Sequence, residues 1–289
     1  MFWQTSRYRI DLGSPRVMGI VNITPDSFTD GGQYLDASAA LGRCEQLLSQ
    51  GADLLDLGAE STRPGAQPLS AQEELSRLRP VLQGALQLGV PVSVDTYKPE
   101  VMQVALDMGT DIINDIWALR WLDPEPSVAA LSGLAVVAAH PNCGVCLMHM
   151  HREPQTMQVS PMEGEVLTQV LNFLSQRALA LTQRGVAKAR IVLDPGIGFG
   201  KTAEQNFSLL AQQQTLLNGG YPLLAGWSRK RSLASSLDFP SAAGTDMPHP
   251  RMVASVAAAL LAVERGAAIV RVHDVRETVQ ALKVLSAIK

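Results

Sequence analysis

The chain has 289 residues, of which 46% are hydrophobic and 18% charged, and its formal net charge is −3. This length can bury a large core, as one large domain or two smaller ones. The near-neutral charge balance argues against nucleic acid and anionic membranes as partners. No apolar run approaches about 18 residues, and the first residues lack the pattern of a signal peptide, so we expect a cytoplasmic protein without membrane association.

Eight short apolar segments alternate with stretches of helical periodicity along the chain. The predicted strands are Val17–Val21, Leu54–Leu57, Val92–Val94, Ile112–Asn114, Val145–Met148, Ile191–Leu193, Leu223–Ala225 and Ile269–Val272. One predicted helix begins at Pro99 and places Val101, Val104, Ala105 and Met108 at helical spacing. Apolar strands that are each followed by a covering helix indicate a parallel sheet buried on both faces. Eight such units predict an α/β fold, a closed (β/α)8 TIM-type barrel, with an open doubly wound sheet as the alternative.

The segments outside this alternation are short. Residues 1–12 precede the first strand, and we expect them to form a small hairpin that covers the bottom of the barrel. Asp238–Pro250 is rich in Pro, Gly and Ser and is predicted to be a mobile connection. Because no linker, charge block or low-complexity tract divides the chain, we interpret residues 1–289 as a single domain.

Polar side chains follow most of the predicted strands at the point where each strand ends. They are Asn22, Thr62, Arg63, Asp95, Asn114, Asp194, Lys230, Arg271 and His273. In a barrel of parallel strands these ends meet at the carboxyl rim, which is where such barrels place their active sites. Each residue alone has an ordinary explanation, such as a helix cap for Asp95, but their repetition at one topological position indicates a site.

The residue types in this set suggest a ligand with two different ends. Carboxylates, a carboxamide and a lysine can bind the donors and acceptors at the edge of a flat nitrogen heterocycle. Arg63, Arg271 and His273 instead suit phosphate oxygens. Because burial of an unpaired charge costs several kcal/mol, we expect these groups to pair with polar groups of a bound ligand.

The segment HPNCGVCLMHMH brings together potential metal ligands, namely His140, Cys143, Cys146, His149 and His151. The part VCLMHM is typical of a buried strand, in which Cys146 and His149 would point to opposite faces and could not share one tetrahedral ion. We therefore interpret Cys146 as a small core residue in a reducing compartment.

The segment DPGIGFGKT, residues 194–202, looks at first like a nucleotide phosphate-binding loop. Such a loop has four residues between its first glycine and the Gly-Lys-Ser/Thr triplet, a length that turns successive backbone N–H groups toward the phosphates. Here only three residues separate Gly196 from Gly200. The spacing argues against binding of a nucleoside triphosphate.

Eight segments resemble, in order, the motifs of the dihydropteroate synthase family. They are MGIVNITPDSFTDGG, DLGAESTRPGA, VSVDTYKPEV, DIINDI, LMHM, LDPGIGFGKT, GWSRK and RVHDV. On this similarity the chain is identified as a member of that family, and DPGIGFGKT corresponds to its loop after the sixth strand. The resemblance implies a pterin-binding barrel that transfers the dihydropterin-methyl group from its diphosphate ester to 4-aminobenzoate, giving 7,8-dihydropteroate and diphosphate in folate synthesis.

The resemblance also implies a role for each matched residue. The pterin would be bound by Thr62, Asp95, Asn114, Asp194 and Lys230, with Arg271 against the ring. The diphosphate would be bound by Arg63, Arg271 and His273, and by Asn22 through Mg2+. The catalytic residues would be Arg63, Lys230, Arg271 and His273. The loops at residues 26–32 and 61–65 would close over the site. A homodimer is also expected, because members of the family are commonly homodimers.

One position departs from the family pattern. After SRK the family usually has a serine near the aminobenzoate end of the site, whereas this chain has Arg231 followed by Ser232. Arg231 could bind the carboxylate of 4-aminobenzoate, since a guanidinium forks onto two carboxylate oxygens. Alternatively, Arg231 points to solvent and Ser232 takes over the contact.

Two other functions stay open at this stage. A pterin-binding methyltransferase would share the pocket, but it gives no reason for the segments TPDSFTDGG and RVHDV. A pterin-binding paralogue without catalysis would have no need for the polar set that includes Asn22, Arg63, Lys230 and His273.

Overall fold

The computed structural model describes residues 1–23, 33–61, 66–122, 131–157, 159–235 and 251–288. Its strands are β1 (Phe2–Gln4), β2 (Arg9–Asp11), β3 (Arg16–Asn22), β4 (Leu54–Gly58), β5 (Val92–Asp95), β6 (Ile112–Asp115), β7 (Gly144–Met148), β8 (Ile191–Asp194), β9 (Leu223–Ala225) and β10 (Ala267–Val272). Strands β3 to β10 form a closed parallel barrel in chain order, with β10 beside β3. Each of the eight predicted strands lies within one of these, so the barrel is confirmed and the open sheet is wrong.

The helices follow the barrel strands and cover their outer face. They are α1 (Gln33–Ser49), α2 (Ala71–Ala85), α3 (Pro99–Asp107), α4 (Gly133–Ala139), α5 (Val166–Thr182), α6 (Ala203–Ala211), α7 (Gln213–Leu216), α8 (Ser232–Ser235), α9 (Met252–Glu264) and α10 (Val275–Ala287). The start of α2 is fixed by a capping box between Ser70 and Glu73, and that of α6 by one between Thr202 and Gln205. Within the described ranges, no helix is long and apolar enough to cross a membrane.

Side chains of the barrel strands alternate between two environments. One set, which includes Leu55, Ile113 and Val270, packs against the helices. The other set points into the barrel, and its lower layer is apolar: Met18, Leu54, Ile112, Cys146, Val192, Leu224 and Ile269. Two residues further along their strands, several inward positions become polar. The period of two in a strand therefore places these polar groups in the barrel mouth.

The N-terminal hairpin covers the opposite end of the barrel, as expected. Trp3 is fully buried in the apolar lower layer, and its Nε1 donates a hydrogen bond of 2.9 Å to the carbonyl of Arg190, the residue before β8. Arg7 pairs with the buried carboxylate of Asp111, directly before β6, at 2.7 Å. The barrel is thereby closed at its amino end, and its polar mouth faces the other way.

The expectations for residues 26–32, 62–65 and 238–250 lie outside the described residues, and so do Thr62 and Arg63.

Candidate active site

Seven of the predicted site residues lie at the carboxyl rim. They are Asn22 at the end of β3, Asp95 at the end of β5, Asn114 in β6, Asp194 at the end of β8, Lys230 after β9, Arg271 in β10 and His273 directly after it. Their roles toward pterin, diphosphate and Mg2+ stay predictions, but their convergence on one mouth is a feature of the fold.

Arg271 forms two ion pairs across this mouth. Its Nε donates to Asp56 Oδ2 and its Nη2 to Asp95 Oδ2, both at 2.6 Å. Burial alone lowers the pKa of Arg271, but the two carboxylates raise it above its ordinary value. Burial raises the pKa of Asp95 to about 7, although Arg271 opposes this effect. The mouth therefore holds a fixed positive charge beside a carboxylate whose pKa is raised by burial.

Asp56 is a site residue that the sequence analysis missed. It is fully buried inside the barrel on β4, where its Oδ2 also accepts a hydrogen bond of 3.2 Å from Asn114 Nδ2. Its Oδ1 has no hydrogen-bond partner among the described residues. A charged residue in the middle of the apolar segment LLDLG was the available signal, since a buried carboxylate needs a cationic partner. Asp56 connects Arg271 to Asn114 and so couples two predicted site residues.

Asp194 and Lys230 form the next part of the mouth. Asp194 Oδ1 accepts a hydrogen bond of 2.7 Å from the backbone N–H of Gly196. Burial raises the pKa of Asp194, while this N–H and Lys230 oppose the shift. Burial, together with the charge of Arg271, lowers the pKa of Lys230 to about 8, and its Nζ lies 4.2 Å from the centroid of the Phe199 ring. A carboxylate acceptor and an ammonium donor thus face the same recess.

His273 is held by Ser228, a second residue that the sequence analysis missed. Ser228 Oγ lies 3.0 Å from His273 Nδ1 and accepts a hydrogen bond of 3.1 Å from the His273 backbone N–H. Next to them, Arg229 pairs with Asp274 at 2.6 Å. These bonds tie the segment after β9 to the end of β10 and orient the imidazole.

The two residues discussed for the aminobenzoate end differ in environment. Arg231 is exposed directly before α8, whereas Ser232 is 8% exposed. Ser232 Oγ accepts a hydrogen bond of 2.9 Å from Asn206 Nδ2 on α6. Contact of either residue with 4-aminobenzoate stays a prediction.

A buried charge network supports the chain directly before residues 62–65. Glu60 accepts a hydrogen bond of 2.8 Å from the Tyr97 hydroxyl and is paired with Lys98. Lys98 also pairs with Glu74 on α2 at 2.7 Å. The residues after β4 are thereby anchored to the start of α3.

The cysteines and histidines of HPNCGVCLMHMH occupy separate environments. Cys146 is buried in the lower layer of the barrel, whereas Cys143 lies outside it and its Sγ is 3.1 Å from Arg190 Nη2. His149 packs edge-on against Phe173 with 4.9 Å between ring centroids. Over the parts of the chain that the structure describes, no three His, Cys, Asp or Glu side chains are grouped so that they could hold a metal.

The chemistry of the mouth divides into two zones. Asp95, Asn114, Asp194 and Lys230 offer acceptors and donors in a recess, which suits the edge of a planar heterocycle. Arg271 on β10 and His273 directly after it add positive or donor groups, which suits an anion. The Ser228 hydroxyl next to the His273 imidazole also accepts the His273 backbone N–H, which suits a residue that orients the ring.

Comparisons with known proteins agree on one family. The family described as "Pterin binding enzyme" matches residues 18–273. The dihydropteroate synthase of Neisseria meningitidis serogroup C is 46% identical, over 99% of this chain and 97% of that protein. Xanthomonas albilineans dihydropteroate synthase, solved with 4-aminobenzoic acid, has a TM-score of 0.86 and 43% identity, over 100% of this chain and 98% of the other. The Burkholderia cenocepacia dihydropteroate synthase, solved with 7,8-dihydropteroate, has a TM-score of 0.82 and 46% identity, over 99% and 96% of the two chains.

Proposed function

The chain belongs to the dihydropteroate synthase family, and we propose that its barrel mouth joins the dihydropterin-methyl group of a pterin diphosphate ester to 4-aminobenzoate. The products are 7,8-dihydropteroate and diphosphate. The supporting observation is the cluster in which Arg271 binds Asp56 and Asp95, beside Asn114. It places a cation for the leaving group next to acceptors for the heterocycle. The methyltransferase alternative does not explain a cation at this point.

The pterin end is assigned to the recess. Asp95 and Asp194 accept N–H bonds from the ring, and Lys230 and Asn114 donate to its acceptors. Thr62 is proposed to complete this set, as the family resemblance implies. Because these groups are buried, each charged hydrogen bond contributes more than it would in water, about 1.5 to 3 kcal/mol. The pterin is thereby held with its methylene toward Arg271.

The transfer replaces one bond by another at that methylene. The carbon–oxygen bond to diphosphate breaks, and the amine nitrogen of 4-aminobenzoate forms the new bond and gives its proton to solvent. Charge grows on the diphosphate as the bond breaks, and preorganised positive groups that meet this charge lower the barrier. We assign this role to Arg271, His273 and Arg63. None of these steps requires a covalent enzyme intermediate.

Mg2+ fits this site as an ion whose coordination shell is completed by the substrate. Asn22 is half-buried at the end of β3 and offers one neutral oxygen. A hard cation held by one protein oxygen takes its other ligands from phosphate oxygens and water. When bound, the ion would add positive charge at the leaving group. We propose Asn22 as its protein ligand.

The decisive experiment follows diphosphate release from the pterin ester with and without 4-aminobenzoate. We expect release to depend on 4-aminobenzoate and to match formation of 7,8-dihydropteroate one for one. Lys230→Met is the matched inactive variant, since it keeps the stem and removes the ammonium. Binding of the pterin without turnover would identify a non-catalytic binder instead, and methyl transfer in a parallel assay would identify the methyltransferase.

We also propose a homodimer that uses α9 and α10. Val253 and Leu261 on α9 and Val284 on α10 are 70%, 41% and 68% exposed. The helix MVASVAAALLAVE is apolar on nearly all faces, which is typical of a helix covered on both sides. Sedimentation should give twice the monomer mass, and Val253→Glu should give a monomer.

The three buried free thiols, Cys44, Cys143 and Cys146, support our expectation of a cytoplasmic location.

A further inference from the structure

The loop between β8 and α6 surrounds a buried lysine that the proposed reaction does not use. Lys201 is 3% exposed, and its Nζ donates to the carbonyl oxygens of Gly196 at 2.9 Å and Phe199 at 3.2 Å. The same Nζ lies 2.9 Å from His149 Nδ1. An ammonium group has three N–H donors, so these three acceptors satisfy it, and the carbonyl oxygen of His149 lies further away, at 3.4 Å.

Glycines let the backbone of this loop point its carbonyl oxygens inward, whereas a phosphate-binding loop points its N–H groups inward. Gly196 has a φ of +68°, and a Cβ at this position would overlap the carbonyl oxygen of His149. Gly198 has a φ of +81°, and a Cβ there would lie 3.2 Å from Cδ of Lys230. The turn directs carbonyl oxygens at Lys201, whereas a phosphate-binding loop directs its N–H groups at an anion. The lysine of DPGIGFGKT therefore binds the loop itself.

This loop contacts two of the charged residues that we assign to the pterin, Asp194 and Lys230. The N–H of Gly196 donates to Asp194 Oδ1, while its carbonyl accepts from Lys201. Gly198 borders the aliphatic stem of Lys230, and its N–H donates to Asn206 Oδ1 at 2.9 Å. A shift of Gly196 or Gly198 would therefore change the orientation of Asp194 and the space available to Lys230.

We propose that Lys201 is a positioning residue for pterin recognition: it fixes the β8–α6 loop so that Asp194 and Lys230 keep the orientation in which they bind the ring. The inference rests on the proposed function, because it concerns the pterin end of the same site. The alternative is that Lys201 only stabilises the fold. If Lys201 is a positioning residue, its loss should weaken binding of the pterin alone. If it only stabilises the fold, its loss should lower the amount of active protein without a preference for one substrate.

The test compares Lys201→Met with Lys188→Met in the full-length protein. Methionine keeps an unbranched side chain but has no donor. Lys188 is a matched control, since it also donates to a carbonyl, that of Gly219 at 2.9 Å, but is exposed near the other end of the barrel. Calorimetry would use the diphosphate-free pterin alcohol, and kinetics would give a KM for each substrate.

We expect Lys201→Met to weaken binding of the pterin alcohol by about tenfold, which corresponds to about 1.4 kcal/mol. The KM for 4-aminobenzoate should stay within about twofold, and Lys188→Met should match the unaltered protein in both measurements. Unchanged pterin affinity, or a fall in active fraction with both KM values unchanged, would overturn the inference.

Two further measurements keep this test decisive. If Lys201→Met does not fold, His149→Phe removes one of the three acceptors, and a smaller selective loss of about threefold is then expected. If the unaltered protein itself binds no pterin alcohol, the proposed function fails. If the unaltered protein binds the pterin alcohol and Lys201→Met binds it as tightly as Lys188→Met does, only the role of Lys201 is wrong.

Discussion

Arg271 on β10 and Asp95 on β5 are separated by two barrel strands, β3 and β4, yet their side chains meet at 2.6 Å. The acceptor proposed for the pterin ring is therefore also an anchor of the arginine proposed for the leaving group. Binding at one end of the substrate and charge stabilisation at the other share a residue. Substitutions in this cluster should separate the two functions.

Asp95→Asn should weaken binding of the pterin alcohol by roughly 1.5 to 3 kcal/mol. An amide offers one acceptor and one donor where two ring N–H groups need acceptors, so a mismatch results. Calorimetry on the folded variant measures this loss. Asp53→Asn is the control, because Asp53 is partly exposed at the amino end of the barrel, where it pairs with Arg16. Equal pterin affinity in both variants would refute the role of Asp95.

Asp56→Asn should instead lower kcat by about tenfold, a change of about 1.4 kcal/mol in the barrier. Asp56 acts through Arg271, whose remaining partner would be Asp95, whereas the amide oxygen introduced at this position can still accept the bond from Asn114. Because the pterin alcohol has no diphosphate, its affinity should change by less than about threefold. Steady-state kinetics and calorimetry on one preparation separate these effects. A loss of pterin affinity as large as that of Asp95→Asn would show that Asp56 recognises the ring.

The fold and most of the rim were predictable because they depend on local rules. Apolar runs predicted each barrel strand to within two residues at either end, and strand ends located Asp95, Asn114, Asp194 and Arg271. Parallel strands bring such positions together whatever their separation along the chain. Residues distant in sequence could therefore be assigned to one site.

The residues that were missed depend on contacts between elements. Asp56 is fully buried inside the barrel, and only the folded barrel shows that Arg271 reaches it. Ser228 acts through a hydrogen bond to His273 that no spacing in the sequence predicts. For Lys201, the spacing of the motif argued against a nucleotide loop but gave no other role, and only the backbone conformation shows that its acceptors belong to the protein.

Arg231→Ala and Ser232→Ala test how 4-aminobenzoate is bound. If the exposed guanidinium of Arg231 binds the carboxylate, Arg231→Ala should raise the KM for 4-aminobenzoate by about tenfold, or about 1.4 kcal/mol, with pterin affinity unchanged. If Ser232 makes that contact, Ser232→Ala should give the loss, and Arg231→Ala should have no effect. The buried bond between Ser232 and Asn206 favours the first outcome.

Removal of Mg2+ should affect the two pterin ligands differently. With Asn22 as the protein ligand, the ion depends on phosphate oxygens for the rest of its coordination. A chelator should therefore weaken binding of the diphosphate ester and leave the pterin alcohol nearly unaffected. Asn22→Ala should abolish this difference. Chelator titrations that weaken both ligands equally would argue against the assignment.

Stability should depend on pH through Lys201. Burial and the charge of Lys230 lower the pKa of Lys201 from 10.5 to about 7, whereas the neighbouring His149 has its pKa lowered to about 2 and stays neutral. Between pH 7 and 10.5 the unfolded chain therefore binds one more proton at this side chain than the folded chain, so stability rises with pH in that window. Below pH 7 both states are protonated there, and the contribution no longer changes.

The free energy of unfolding of the unaltered protein, minus that of Lys201→Met, should therefore rise from pH 7 toward pH 10 by at most about 1.4 kcal/mol per pH unit. Denaturant unfolding at several pH values measures both proteins, and titrations shared by the two, including those of Asp194 and Lys230, largely cancel in the difference. Lys188→Met, at an exposed position, should give a curve parallel to that of the unaltered protein. A parallel curve for Lys201→Met as well would mean that the three acceptors keep the ammonium charged throughout this range.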